Sequence, residues 1–187
     1  MLRTVVTILL ILSFAETAWS SSFSLDFNDE SAQFKYDHLL SREAYGESEV
    51  KFRLLYNDET DTFLGSAGVG VKGSPGNLHG LETGVMVSVN SSDFEHEKLL
   101  AVGVGLQVDY APPALGGFGL TAAVLYAPKV FTFMDVEDYL ETSVGIRYSI
   151  MPNAALILNY QNILVDFKKY GDVRLDDAVR IGVKLNF

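Results

Sequence analysis

The final ten residues, AVRIGVKLNF, set Val179, Ile181, Val183, Leu185 and Phe187 in strict alternation with Arg180, Gly182, Lys184 and Asn186. A period of two belongs to a strand with one apolar and one polar face. The pattern recurs. In LLAVGVGLQVDY the apolar set is Leu100, Val102, Val104, Leu106, Val108 and Tyr110, and Ala101, Gly103, Gly105, Gln107 and Asp109 lie between. LETSVGIRYSI, GFGLTAAVLY, VKFRLLY, FLGSAGVGV and LETGVMVSV repeat it, and ALILNY is more apolar throughout. A soluble sandwich would bury the apolar face and leave the other in water. That face carries Gly103, Gly105, Gly119 and Gly145, which are poor in strand propensity and in solubilising charge. Segments of about ten residues with an apolar outside and a small or polar inside are instead the signature of strands crossing a bilayer. The expectation is an all-β fold, a closed antiparallel transmembrane β-barrel with small residues filling a narrow interior.

Only strands are available for that crossing. Residues 1–20 read as a cleaved secretory signal, with Arg3 at the charged end, an apolar stretch over residues 5–14, and Ala18 and Ser20 before a cut at Ser21. The stretch is shorter than the roughly 20 residues of a spanning helix, and nothing later is longer. The barrel domain is therefore residues 21–187. Nine segments are clear, and SFSLDF makes ten if it pairs with AQFKYDHL across residues 28–31. Eight is the alternative if that hairpin lies outside the wall. Short links with Pro or Gly begin at Ala111 and Met151. Longer polar links begin at Asn90, Ala127 and Asp166. Short periplasmic turns and longer outer loops put both chain ends in the periplasm. Tyr110, Phe118, Tyr148 and Phe187 then form an aromatic girdle at the inner boundary, and Tyr56, Phe63, Tyr126 and Tyr139 at the outer one.

Three further features carry the expected partners. The chain's net charge of −10 gives no basic cluster for nucleic acid. Cysteine is absent, which excludes disulfides, thiolate metal sites and lipid attachment at an N-terminal Cys. Ile181, Val183, Leu185 and Phe187 look like the terminal signal read by the barrel-assembly machinery, and the outer surface would meet outer-membrane lipids and lipopolysaccharide. Oligomeric state is not readable.

The runs AVGVGLQVDYAP, LYAPKV, VEDYLETSVGIRY and RIGVKLNF, with the opening SFSLDFNDE, resemble the YfaZ family of small outer-membrane proteins. The resemblance covers most of the mature chain, and LNYQNILVDF departs from it. It implies a porin-like barrel in the outer membrane of a Gram-negative cell, with no enzymatic activity or ligand to carry over.

The alternation assigns Lys51, Arg53, Lys72, Glu82, Asp109, Glu141, Arg147, Arg180 and Lys184 to the lumen, together with Asp26, Lys35, Asp37, Glu49 and Gln107. Charges of both signs in an enclosed space need partners, so the expectation is a charge-paired polar filling. A thin pore lined by the same residues is the alternative, since a barrel of this size is normally filled by side chains. A rim-located hydrolase or lipid A-modifying enzyme needs a constellation such as His with Ser or paired Asp. His38, His79 and His96 fall in different regions without one. Acidic segments around Glu95 and around Asp135, Glu137 and Asp138 read as solvated surface, at most approaching divalent cations bound to lipopolysaccharide phosphates. No metal site, cofactor motif or phosphate-binding glycine loop is present, because the glycines alternate inside strands. The expected function is a non-enzymatic barrel serving envelope integrity or surface interaction.

Overall fold

The structure, a computed structural model, describes residues 21–187 apart from Ala44, Tyr45, Asn77, Glu95, His96 and Tyr170. The expected signal segment lies outside the described residues. Eleven strands follow one another: β1 (Ser21–Phe27), β2 (Ser31–Glu43), β3 (Gly46–Asn57), β4 (Thr62–Gly73), β5 (Leu81–Phe94), β6 (Glu97–Tyr110), β7 (Phe118–Ala127), β8 (Thr132–Met134), β9 (Val136–Met151), β10 (Ala154–Phe167) and β11 (Gly171–Asn186). Every pairing is antiparallel. β7 and β8 both lie against β6, so they form one interrupted stave and the wall has ten. The N-terminal hairpin belongs to it: Phe27 lies opposite Ala32, and Asn28 Oδ1 accepts the Ser31 N–H at 2.7 Å in the turn.

The ring closes between β1 and β11, where Ser21 N–H donates to the Phe187 carbonyl at 2.7 Å and Phe187 N–H returns to Ser21 at 2.9 Å. No edge is left open there, as a wall in hydrocarbon demands. The strands are strongly staggered. From Ser21 the register runs through His38, Val50, Val69, Val87, Val104, Tyr126, Leu140 and Leu164 to Arg174. Ser21 itself sits against Phe187, thirteen residues further along β11. Such a stagger tilts the staves, and here it raises the later strands toward the rim opposite the chain ends.

Burial follows the alternation. Val104, Leu106, Ile146 and Ile181 stand on the outside of the wall in a continuous apolar belt, with Leu106 57% exposed. An exposed apolar surface of this extent demands a nonaqueous neighbour. Glycines face inward because the interior is crowded. A Cβ at Gly103 would lie 2.8 Å from Leu125 Cγ, and one at Gly182 would lie 2.2 Å from the Leu25 carbonyl oxygen at the closing seam.

At the rim opposite the chain ends the segments expected as long loops are largely strand. β5 runs to Phe94 and β6 resumes at Glu97, β9 begins at Val136, and β10 reaches Phe167 before β11 starts at Gly171. The extra length at that end is carried as paired backbone, since the inward residues there have a core to bury. Tyr139, expected in the outer girdle, is buried inside the wall at 0% exposure. Its neighbour Leu140 holds the outward position, so the alternation turns Tyr139 inward.

Candidate functional site

The interior is the candidate site, and it is layered. Toward the far rim, Leu55 and Leu64 flank the β3–β4 turn, Val136 follows the β7–β9 crossing, and Val165, Phe167 and Leu175 flank the β10–β11 turn. All are buried in one apolar cluster with Leu99, Leu125, Tyr139 and Ile163. A β-bulge completes it. Ile163 pairs with Asp176 but Leu164 pairs with Arg174, so Leu175 is the extra residue and both Leu175 and Asp176 turn inward.

Beneath this seal a polar network crosses the lumen. Gln33 Nε2 on β2 donates to Gln161 Oε1 on β10 at 2.6 Å, and Gln161 Nε2 donates to Glu141 Oε1 on β9 at 3.0 Å. Glu141 also accepts Tyr139 Oη at 2.6 Å and both terminal nitrogens of Arg53 on β3, Nη2 at 2.8 Å. Arg53 Nη2 reaches Ser66 Oγ on β4 at 2.9 Å. Arg180 is the largest side chain wholly shut from solvent. It is clamped by Asp176, with Nη1 to Oδ2 at 3.0 Å, while its Nε donates to Ser31 Oγ at 2.7 Å. Asp176 Oδ1 accepts Asn57 Nδ2 at 3.0 Å. The Arg53–Glu141 pair ties β3 to β9 across the lumen, whereas Arg180 and Asp176 both stand on β11 and reach β2 and β3 through Ser31 and Asn57. Asp26 is the exception: it is fully buried and neither carboxylate oxygen has a hydrogen-bond partner.

Toward the chain ends the interior opens into a charged chamber that includes a cavity of about 200 Å³, lined in part by Lys35, Lys51, Ser88, Gln107 and Ser143. Lys51 Nζ lies 2.8 Å from Glu49 and donates to Gln107 Oε1 at 2.6 Å. Lys72 stands between Glu47 and Glu49 at 3.7 and 3.6 Å, and Lys184 is 3.7 Å from Asp37. Glu82 is opposite Asp109 in the β5–β6 register, and Arg147 lies over Gly119. The nine lumen candidates thus divide: Arg53, Glu141 and Arg180 hold the network, and the other six stand in the chamber or at its mouth. On the outside of β11, Ile181, Val183 and Phe187 are exposed and Leu185 is partly so.

The residues the sequence reading missed are Gln33, Asn57, Gln161 and Asp176 and the apolar seal above them. Their signal was present. In NILVDF the alternation continues past Tyr160 with its sense reversed, Ile163, Val165 and Phe167 inward and Asn162 and Asp166 outward.

Outside the lumen, and against the expectation that no histidine has a serine beside it, one such pair occurs among the described residues. His38 Nδ1 meets Ser21 Oγ at 2.8 Å at the chain-end rim, His79 is exposed in the β4–β5 link, and His96 lies outside the described residues. Among the described residues no three His, Asp or Glu side chains gather as a metal site. At the far rim Asp135 Oδ2 accepts the Lys98 N–H at 3.0 Å, and Glu137 binds Lys129 at 2.6 Å, which holds the Glu137 carboxyl below its usual range. Glu59, and after it Asp29, hold the exposed Glu30 carboxyl above its usual range.

A family model described as YfaZ precursor matches residues 2–187. No curated protein matches the chain. Solved structures of similar shape include a chain from work on the in-meso crystallization of membrane proteins, at 10% identity, 90% of this chain and 83% of that one, with a TM-score of 0.49. The outer-membrane expressed OmpT of Vibrio cholerae is similar at 10% identity, 89% of this chain, 64% of that one, and a TM-score of 0.44. The KdgM porin in complex with disordered oligogalacturonate is similar at 13% identity, 90% and 99% of the two chains, and a TM-score of 0.42.

Proposed function

The chain belongs to the YfaZ family, and from that premise we propose that it is a non-enzymatic outer-membrane barrel of a Gram-negative envelope, sealed toward the outside, that serves envelope integrity or surface interaction. Removal of residues 1–20 leaves a barrel that begins and ends on the periplasmic side. The observation that carries the reading is the closure of the outer half by Leu64, Leu99, Val165, Phe167 and Leu175, each at 1% exposure or less. Ions crossing there would be stripped of water among mainly apolar side chains, with only hydroxyls such as those of Thr62, Ser92 and Thr132 to replace it. This favours a blind chamber over a through-going pore, and its filling is apolar above and charge-paired below. His38 meets the Ser21 hydroxyl at the chain-end rim and His79 stands apart in the β4–β5 link, and among the described residues no oxyanion-binding group stands with the His38–Ser21 pair, which supports a non-enzymatic role.

Purified, refolded protein in a planar bilayer tests the seal. The expected result is electrical silence, while stable stepwise currents from the unaltered chain would reject it. A variant carrying Leu64→Ala, Leu99→Ala and Phe167→Ala is the positive control, expected to leak. Unchanged lipid A masses and no cleavage in a peptide screen are expected of cells overproducing the chain. The outward row Ile181, Val183, Leu185 and Phe187 is proposed to meet the assembly machinery, and its replacement by polar residues should leave the chain unfolded in the periplasm.

A further inference from the structure

The crossing from β7 to β9, residues 128–135, is not a free loop. Phe131 N–H donates to the Pro128 carbonyl at 2.8 Å, and Thr132 Oγ1 donates to the carbonyls of Lys129 at 3.2 Å and Glu137 at 2.9 Å. The Asp135 carboxylate caps the Lys98 N–H, its backbone N–H donates to the Lys98 carbonyl at 3.3 Å, and the Lys168 ammonium reaches the Met134 carbonyl. Met134 is held at φ 66°, a left-handed conformation a non-glycine residue adopts only when its surroundings impose it. This rigid piece nonetheless exposes Val130 at 76%, together with Phe131, Phe133 and Met134. On the β1–β4 side the links at the same rim carry Asp29, Glu30, Asp58, Glu59 and Asp61.

Phe133 is paired with Leu100, and Leu100 heads the outward row Val102, Val104, Leu106 and Val108 running down β6. The exposed apolar patch is therefore continuous with the belt that faces lipid. We infer that residues 128–135 are seated in the outer leaflet, with lipid acyl chains packed against Val130, Phe131 and Phe133. The wall around β6 to β8 is then immersed further toward the cell exterior than the wall of β1 to β4, whose acidic tips stay in water, and than the β9–β10 face, where Asp138 and Asp166 lie opposite each other on the outward side. The inference rests on the outer-membrane reading and names the lipid contact that makes immersion uneven.

Trp19 is the only tryptophan of the chain, so a Trp19→Phe background leaves any introduced tryptophan as the sole reporter. Phe133→Trp, Phe131→Trp and Val87→Trp are placed singly in the full chain and refolded into phosphatidylcholine vesicles brominated either near the headgroup or near the tail end. Gel mobility with and without heating verifies that each variant has folded. Val87 lies in the middle of the belt, so Val87→Trp should be quenched by the deep bromines. Phe133→Trp and Phe131→Trp should be quenched at least two-fold by the shallow bromines and shielded from aqueous iodide. Quenching by iodide and not by lipid at positions 131 and 133, with Val87→Trp still lipid-quenched, overturns the inference and leaves the barrel reading standing. Shielding that appears only at high protein-to-lipid ratio also overturns it, by placing a second copy on the patch. Absence of lipid quenching at Val87→Trp would sink the membrane reading itself.

Discussion

The outer and inner halves of the barrel interior are built on the same ten staves from opposite chemistry. The outer half is a packed apolar cluster, closed to water, over a hydrogen-bond network that is buried at Arg180, Asp176, Gln33 and Gln161 and borders the cavity at Arg53 and Glu141. The inner half holds a cavity lined in part by Lys51 and Asp37, and the partly exposed Lys51, Lys72 and Lys184 pair there with Glu49, Glu47 and Asp37. A closed wall therefore constrains which residues point inward but leaves open whether they exclude water or hold it. In the outer half a lost partner leaves a vacancy or an orphaned charge with nothing to replace it. In the inner half water takes its place.

Asp176→Ala should test that contrast most severely. It leaves Arg180 charged and dry, and truncating one member of such a pair costs about 3–5 kcal/mol. Urea unfolding in detergent micelles, followed by gel mobility, measures it, and the paired change Asp176→Leu with Arg180→Met should recover most of the loss. Phe167→Ala opens a void in the seal and should cost a similar ~3–5 kcal/mol in the same assay. Asp26→Asn should cost less than Asp176→Ala, because the carboxylate it neutralises has no hydrogen-bond partner and acts on the Lys35 ammonium by charge alone.

Lys72→Ala, in the open chamber at 3.7 and 3.6 Å from its carboxylates, should change stability by less than about 1 kcal/mol. A loss comparable with that of Asp176→Ala would erase the distinction between the halves. The smallest effect is expected at the rim. Glu59→Gln removes the main cause of the raised Glu30 carboxyl, so the Glu30 titration midpoint, read by NMR, should fall toward the ordinary value. A raised carboxyl contributes stability below its unfolded midpoint and loses it as pH rises through the folded one. The two acidic tips therefore hold together best on the acid side, and Glu59→Gln should flatten that dependence.

The faces of the staves were legible in the sequence because hydrocarbon outside and a crowded interior impose a strict period of two. Val179 to Phe187 and Leu100 to Tyr110 show it plainly, and the short SFSLDF strand followed from its turn. The seal was not legible as a seal. An apolar residue facing lipid and one packed in a plug are chemically alike, so Val165 and Phe167 are placed inward only by counting the alternation of β10 on past Tyr160. Polar neighbours such as Asp166 and Asp172 read as loop, although here they are the outward side of strands that run on past the apolar belt. Tyr139 was misplaced for the same reason, and the bulge at Leu175 shifts the phase by one residue without any glycine or proline to announce it. The cross-lumen partners of Arg53 and Arg180 depend on the stagger of the wall, which no local pattern encodes.

The meeting of Ser21 with Phe187 has a temporal meaning. The first residues of the described barrel complete their backbone pairing only against β11 and Phe187, which are synthesised well over a hundred residues later, so a barrel without β11 cannot seal its own circumference. Half of the buried apolar side chains that stopper the outer half also come from β9 to β11: Val136, Tyr139, Ile163, Val165, Phe167 and Leu175. Until β11 arrives the chain presents two raw strand edges and an unfilled bore, which makes the final sixteen-residue strand the step that turns an aggregation-prone ribbon into a finished cylinder.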